Sequence, residues 1–219
     1  MVCTLHRFAP ATGVPCSALG SCSGAKCRIN LTVGWPPVDS QVILRPVIED
    51  DLSWLDRLRN DPAATGVHEW HGWSDPRPLQ RRWSESGLLG DSGGELMVIH
   101  GADRVGSVSW RKVPTGRISY CWALGIALAP EFRGRGYGSE AQRLLVRYLF
   151  AHTQVNRIEA TTEVTNVGEQ RALEKAGFTR EGVLRGATFR AGRWHDQVIY
   201  SVLRDEVEFG AAPGPLGAA

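Results

Sequence analysis

The spacing of apolar residues along the middle of the chain predicts three principal helices. Over Glu49–Asn60, three leucines share one helical face, and Asp61-Pro62 ends the segment. A longer apolar stripe runs from Tyr137 to Leu149 with the i, i+4, i+7, i+8 repeat of an amphipathic helix. A third helix is predicted to begin after Asn166 and to stop before Gly177, which suits the position after a helix C-terminus.

Between these helices, β-type runs predict strands. Their predicted bounds are Gln41–Pro46, Glu95–His100, Arg104–Val113, Arg117–Leu128, Arg157–Glu163, Thr179–Arg190 and Trp194–Leu203. A Trp-rich segment from Trp70 to Gly87, broken by prolines, is interpreted as a loop with a short helix. Gly125 inside a strand indicates a bulge or a close backbone approach. The order β-α-α-β-β-β-α-β-α-β-β indicates a mixed α/β fold that is neither doubly wound nor a barrel.

The two ends of the chain differ in composition from the middle. Residues 1–39 are rich in Ser, Gly, Ala and Pro and show no clear period, so we predict a disordered extension there. Residues 207–219 are predicted to form a disordered tail. Residues 40–206 contain no internal repeat or obvious linker, which favours a single domain.

Composition narrows the class of protein. The hydrophobic class makes up 42% of the 219 residues and the net charge is only +2, which indicates a globular protein and no bulk nucleic-acid binding. No run of apolar residues is long enough for a membrane span, and no secretory h-region is present, so we expect a cytoplasmic protein. Four cysteines before residue 30 lack zinc-type spacing and are interpreted as reduced thiols; no metal site is predicted.

A glycine-rich loop carries the strongest chemical signal. The run Ala129-Pro130-Glu131-Phe132-Arg133-Gly134-Arg135-Gly136-Tyr137-Gly138-Ser139 follows a predicted strand and opens a helix. Glycines allow several N–H groups to converge, and the helix dipole adds positive potential, so the loop suits a pyrophosphate. The alternative is an ordinary tight turn between strand and helix. Neither the Rossmann nor the Walker spacing fits.

Three blocks in this order resemble the GNAT N-acetyltransferases. They are Arg133-x-x-Gly136-x-Gly138, the run Asn166 to Phe178 with its Leu-Glu-Lys-Ala-Gly-Phe ending, and the pair Glu181–Arg185 and Gly192–Asp196, typical of the RimJ/RimL-like branch. The resemblance covers about residues 42–206. It implies a GNAT-type mixed, mostly antiparallel central sheet with a splayed strand and flanking helices, and acetyl-CoA as co-substrate with an amine acceptor. A homodimer stays an open alternative.

The resemblance also implies which residues hold acetyl-CoA. Main-chain groups near Ile126, Ala127 and Leu128 would hold pantetheine and polarise the thioester carbonyl. The residues that match the phosphate loop are Arg133, Gly134, Arg135, Gly136, Tyr137, Gly138 and Ser139. Asn166 matches a side chain that contacts the pantetheine arm, and a plain helix cap is its alternative role.

The catalytic acid and base are less directly indicated. The Glu that many family members carry is replaced by Ala123, the helix Tyr by Leu173, and the branch's Ser by Glu169. Glu69, in the run His68 to Asp75, is therefore the candidate base, and Glu169 is a candidate carboxylate near the thiol. His68, His71 or bulk water are the alternatives to Glu69. Trp70, Trp73 and Trp83 are either core residues or a wall for the acceptor.

Two classes of function remain after this comparison. The first is an N-acetyltransferase that moves acetyl from acetyl-CoA to a primary amine by direct attack in a ternary complex. Its acceptor is either a protein N-terminus or a small molecule. The second is a non-catalytic acyl-CoA sensor on the same fold, since the usual Glu, Tyr and Ser are missing. Proximity and a polarised carbonyl can carry much of aminolysis, which favours the enzyme.

Overall fold

A computed structural model describes residues 42–208. The predicted extension at residues 1–39, with its four cysteines, lies outside the described residues, as does the tail from residue 209 onward. These interpretations stay predictions, and so does the single-domain assignment. Within the described part of the chain, no helix is long and apolar enough to cross a membrane.

The strands form one mixed sheet. They are β1 (Val42–Pro46), β2 (Leu89–Gly90), β3 (Gly93–His100), β4 (Asp103–Pro114), β5 (Tyr120–Leu128), β6 (Arg157–Glu163), β7 (Thr179–Arg190) and β8 (Arg193–Leu203). The sheet order is β1-β3-β4-β5-β6-β8-β7, with β2 paired to the start of β3. Among the described strands, only β5 and β6 pair in parallel. The mostly antiparallel sheet predicted from the sequence is confirmed.

The described residues form five α-helices, four of which pack on the two faces of the sheet. They are α1 (Glu49–Asn60), α2 (Pro62–Thr65), α3 (Arg77–Ser86), α4 (Tyr137–His152) and α5 (Val167–Lys175). Helices α4 and α5 bury their apolar faces against β3 to β8 in the larger core, which includes Leu145, Leu149 and Leu173. Helices α1 and α3 cover the opposite face through a smaller cluster around Leu55 and Met97.

The short helix α2, which the sequence analysis did not predict, begins at the residue that ends α1. Asp61 follows the last turn of α1, and its N–H still donates to the carbonyl of Arg57 at 3.0 Å. Its carboxylate accepts a 2.9 Å hydrogen bond from the N–H of Ala63 and so caps α2. Pro62, which was expected only to stop α1, occupies the first position of α2, where a proline is tolerated.

Strands β5 and β6 separate after a short pairing. They are joined only at Trp122–Ile158 and Ala123–Glu159, and no described strand pairs with β5 on the β6 side from Leu124 to Leu128. The pairing of β4 with β5 continues without a register shift, so Gly125 marks no bulge; a Cβ there would lie 3.0 Å from Ser109 Oγ, which is a close approach. The strand begins at Tyr120, three residues later than predicted, because a turn occupies residues 115–119.

Candidate active site

Two residues of the glycine-rich loop adopt backbone conformations that favour glycine. Gly134 and Gly136 adopt positive φ of 73° and 86°, and no atom lies within 4 Å of where either Cβ would be. Gly136 directly precedes α4. Gly138 is buried, and a Cβ there would lie 3.3 Å from Leu128 Cδ1. The loop therefore presents exposed backbone at the helix N-terminus while Gly138 lets α4 pack against β5.

The two loop arginines have different environments. The Arg133 guanidinium donates to the carbonyls of Leu128 at 3.0 Å and Thr65 at 3.2 Å, and to that of Ala64. It thus joins the end of β5 to the end of α2. Arg135 lies exposed with its guanidinium carbon 5.9 Å from the Phe132 ring centroid. Of the two side chains, only Arg135 has its guanidinium available for a phosphate at the loop edge.

The start of α5 joins the predicted pantetheine contact to a candidate catalytic residue. The Asn166 side chain caps the helix by accepting from the N–H of Glu169 at 3.3 Å. The Glu169 carboxylate does not complete the expected capping pair; it accepts a 2.5 Å hydrogen bond from Nε2 of the buried Gln142 of α4. Burial raises the pKa of Glu169 to about 7, with a contribution from the Glu69 charge.

Glu69 lies close enough to Glu169 for the two carboxylates to interact. Desolvation raises the pKa of Glu69, and the charge of Glu163 raises it further, while His71, His68 and Arg190 oppose the rise. The side chain nevertheless keeps an exposed position on the loop after α2. The structure therefore brings together the two carboxylates that the sequence proposed, one half-buried and one open to solvent.

Glu163, at the end of β6, organises the same region. Its buried carboxylate accepts hydrogen bonds from Arg190 Nε at 2.8 Å and Arg190 Nη2 at 2.7 Å. The Nδ1 atoms of His68 and His195 each lie 3.5 Å from its Oε2. Although burial opposes ionisation, the Arg190 and His68 hydrogen bonds hold the pKa of Glu163 below its usual value. This cluster links His68, the residue before Glu69, to the end of β6.

A pocket of about 430 Å³ opens where β5 and β6 separate. Its floor consists of β5 residues Ala123 to Gly125 and β6 residues Glu159 to Thr161. Its walls come from β3, β4 and the two helices on that face, and its charged lining residues are Arg59, Arg82, Glu95, Arg111 and Glu159. The volume lies in the range typical of small-molecule sites. The pocket is open above this part of β5 because Ala123 and Gly125 have small side chains or none.

The tryptophans of the 70–87 segment were expected to be either core residues or a wall for the acceptor, and the structure separates them into two groups. Trp83 packs against the smaller core and donates from Nε1 to the carbonyl of Val47 at 3.0 Å. Trp70 and Trp73 meet edge to face with centroids 5.8 Å apart, and Trp73 is 84% exposed. Trp83 is therefore a core residue, whereas Trp70 and Trp73 form a surface pair on the loop that carries Glu69.

Several residues at the site were not singled out from the sequence. No sequence motif marks these residues, because the contacts that bring each of them to the site come from strands or helices distant in the chain. They are Arg59, Arg82, Arg111, Glu163 and Arg190. One signal was available: Glu159 and Glu163 alternate with apolar residues on β6, which places both on the face opposite the core.

The glycine-rich loop between β5 and α4, beside a strand that separates from its parallel neighbour, matches the GNAT-type fold that the sequence resemblance implied. The family model described as acetyltransferase (GNAT) domain matches residues 41–179, and the chain belongs to that family. The resemblance inferred from the sequence is confirmed. Members of this family use acetyl-CoA as acetyl donor, in agreement with the predicted co-substrate.

Several curated proteins that are similar to this chain in sequence are named N-acetyltransferases. The chain is similar to the probable N-acetyltransferase YjcK of Bacillus subtilis, at 35% identity over 48% of this chain and 57% of that protein. It is also similar to the ribosomal protein uS5 alanine N-acetyltransferase of Escherichia coli, at 26% identity over 43% and 48% of the two chains. The chain thus spans about half the length of these curated relatives.

The fold is that of solved acetyltransferases. Spermidine N-acetyltransferase from Vibrio cholerae, solved in complex with CoA and spermine, superimposes with a TM-score of 0.64 over 76% of this chain and 97% of that one. The sequence identity is 20%, so the likeness establishes the fold alone.

Proposed function

We propose that this protein transfers the acetyl group of acetyl-CoA to a primary amine by direct attack within a ternary complex. The observation that carries this proposal is that the glycine-rich loop adjoins the edge of β5 that has no described strand partner, at Gly138 and Leu128, while α4, which the loop opens, holds Glu169 through Gln142. Family membership supports the reaction class.

The donor side is formed by the loop and β5. Exposed N–H groups from Gly134 to Gly138 would hold the pyrophosphate, with Arg135 at the edge. The pantetheine arm would follow β5 from Leu128 towards Ile126, where no described strand takes the main-chain hydrogen bonds on the β6 side. Main-chain N–H near Ile126 would polarise the thioester carbonyl and stabilise the negative charge that develops there.

Glu69 and Glu169 divide the proton transfers. The amine nitrogen forms a bond to the carbonyl carbon, and Glu69 accepts the proton that the nitrogen loses. The carbon–sulfur bond then breaks, and Glu169 donates a proton to the departing thiolate. A carboxyl group with a pKa of about 7 retains part of its protons at neutral pH, which an ordinary glutamate does not. The carboxylate of Glu169 is then reprotonated from solvent.

A covalent acetyl-enzyme is disfavoured by the only cysteine in the described residues. Cys121 is buried, and desolvation together with the Glu159 charge raises the pKa of its thiol to about 11. A thiol in that state is a poor nucleophile at neutral pH. The amine itself is nucleophilic once neutral, so transfer needs both substrates held together.

The test is steady-state kinetics of thiol release with acetyl-CoA and a panel of primary amines. Varying both substrates should give intersecting initial-rate lines, because both must bind before transfer. Gly136→Asp should weaken acetyl-CoA binding by at least about 100-fold, because it places a negative charge inside the anion cradle.

Gly87→Asp is the matched control for that variant. Gly87 also has positive φ and no atom within 4 Å of a Cβ, but it lies at the end of α3. It should leave the acetyl-CoA dissociation constant within about threefold of the parent. Parallel initial-rate lines would contradict direct transfer, and binding of acetyl-CoA with no turnover of any amine would favour the acyl-CoA sensor.

A further inference from the structure

The pocket at the β5–β6 opening has an uneven balance of charge. Three arginines line it, Arg59 from α1, Arg82 from α3 and Arg111 from β4, against two glutamates, Glu95 and Glu159. A pocket built for a polycationic amine would be expected to present carboxylates without partners. The pairing of each charged side chain therefore decides which ligand the pocket suits.

One of the two glutamates is paired with an arginine of the pocket, and the other shares its arginine with a second carboxylate. Glu95 is buried on β3, and both its oxygens accept from Arg59 Nη2 at 2.5 Å. Glu159 lies on β6 with its carboxylate 3.5 Å from Nε of Arg157, whose two Nη atoms donate to Glu181 at 2.6 Å, so Glu159 is only partly compensated. A glutamate bound to an arginine contributes little net attraction for a cationic acceptor.

The remaining two arginines have no acidic partner within the described residues. Arg82 and Arg111 are exposed, and neither takes part in a salt bridge or a side-chain hydrogen bond there. Arg111 is paired in the sheet with Ala123, on the pocket floor. An alanine at this position leaves room for a ligand group between the guanidinium and the β5–β6 opening.

We propose that the acceptor is a small amine that carries a carboxylate or another anionic group, which Arg111 and Arg82 bind while the amine faces the thioester. An amino acid has this chemistry, and the pocket volume suits a molecule of that size. Arginine favours such groups because its planar guanidinium can donate two parallel hydrogen bonds to a carboxylate or phosphate. This inference rests on the proposed acetyl transfer and adds the class of its acceptor.

The experiment compares acceptors that differ only in the anionic group. The panel contains the standard amino acids, their amides and the amines that lack the carboxyl group, together with phosphoethanolamine and ethanolamine. Each kcat/KM is expressed per neutral amine, so that differences in amine pKa do not enter. We expect at least one carboxylate or phosphate acceptor to exceed its uncharged counterpart by about tenfold or more, and spermidine to be a poor acceptor.

Substitution then assigns the effect to the pocket. Arg111→Gln should raise KM for the preferred anionic acceptor by roughly 10-fold to 100-fold, with kcat and the KM for acetyl-CoA nearly unchanged, because it removes binding energy of the ground state. Arg82→Gln should act in the same direction. Lys112→Gln and Arg81→Gln are the controls, since each removes one positive charge beside a pocket arginine from a residue that does not line the pocket.

The outcomes separate this inference from the reaction on which it rests. If amines are acetylated but the anionic group brings no advantage, the acceptor class is wrong and the acetyl transfer stands. If the preference for anionic acceptors exists but persists in the double variant Arg111→Gln, Arg82→Gln, another surface binds the anionic group and the assignment to this pocket is wrong. If no amine in the panel is acetylated, both the proposed function and this inference are wrong.

Discussion

At the scale of single residues, Glu169 shows how tertiary structure assigns chemistry. The sequence placed a glutamate where the related branch has a serine, and it left a capping role open. In the folded protein the cap is Asn166 alone, and Gln142 from another helix holds the Glu169 carboxylate in a half-buried position. No local pattern could predict the raised pKa, because it comes mainly from burial in the folded protein and then from the charge of Glu69 on a distant loop, whereas the Gln142 hydrogen bond lowers it.

Glu169→Gln should alter both stability and rate in a pH-dependent way. With a pKa of about 7 in the folded state and 4.5 as its ordinary value, Glu169 binds more protons folded than unfolded between these values. Its ionisation therefore costs stability as pH rises through that window. The free energy of unfolding of Glu169→Gln, relative to the parent, should increase by roughly 1–3 kcal/mol between pH 5 and pH 8.

The same variant tests the acid role. Loss of the proton donor should lower kcat by about 100-fold at pH 7 and remove the decline of kcat above pH 7 that ionisation of Glu169 causes in the parent. Chemical denaturation and steady-state kinetics across pH 5 to 9 measure both effects. Stability curves that stay a constant distance apart would show that the carboxyl is not protonated near neutral pH.

At the scale of elements, periodicity predicted most helices and strands. Helix α1 and strands β6 and β7 have the predicted bounds because each is set by its own sequence, with an apolar stripe or alternation and turn residues at the ends. Helix α2 and strand β2 were missed because they are four and two residues long. The contact between the loop of Arg133 and the end of α2 could not be predicted from local patterns either, because 68 residues separate Arg133 from Thr65.

Arg133→Gln should test whether this contact is structural. A glutamine cannot reach the three carbonyls of Leu128, Ala64 and Thr65 together, so the variant should lose roughly 1 kcal/mol of stability and about 2–4 °C in Tm. Acetyl-CoA affinity should fall by less than about fivefold, because the guanidinium is engaged with carbonyls.

Arg135→Gln is the control for that comparison. Its guanidinium is exposed and contacts only the Phe132 ring among the described residues, so its loss should leave Tm unchanged and weaken acetyl-CoA binding at low salt. The opposite result, with Tm unaffected and a large loss of acetyl-CoA affinity for Arg133→Gln, would show that Arg133 turns to the phosphates when the substrate binds. Calorimetry of both variants gives the two quantities.

At the scale of the whole molecule, the sheet has a gap that secondary-structure patterns do not reveal. Its antiparallel class followed from the GNAT resemblance. The end of the β5–β6 pairing at Ala123 depends on the register between strands 36 residues apart, which only the folded structure supplies. The charged pocket at this gap was missed for the same reason, since its arginines come from α1, α3 and β4.

Hydrogen exchange should detect the gap and its closure by substrate. Acetyl-CoA should increase the protection of amides between Leu124 and Leu128 that face β6, because the pantetheine arm would occupy the edge that lacks a strand partner. Amides between Val105 and Val108 on β4, whose strand has partners on both sides, should change little. Equal protection of 124–128 with and without acetyl-CoA would place the pantetheine elsewhere.

The positions of the pocket arginines have a consequence for how acceptor preference can evolve. Arg59, Arg82 and Arg111 all precede the turn at residues 115–119, whereas the phosphate loop, α4 and the start of α5 follow it. Recombination between related genes at this turn would therefore exchange the arginine set and keep the donor machinery intact. A lineage could acquire a new acceptor in one such crossover while retaining its inherited use of acetyl-CoA.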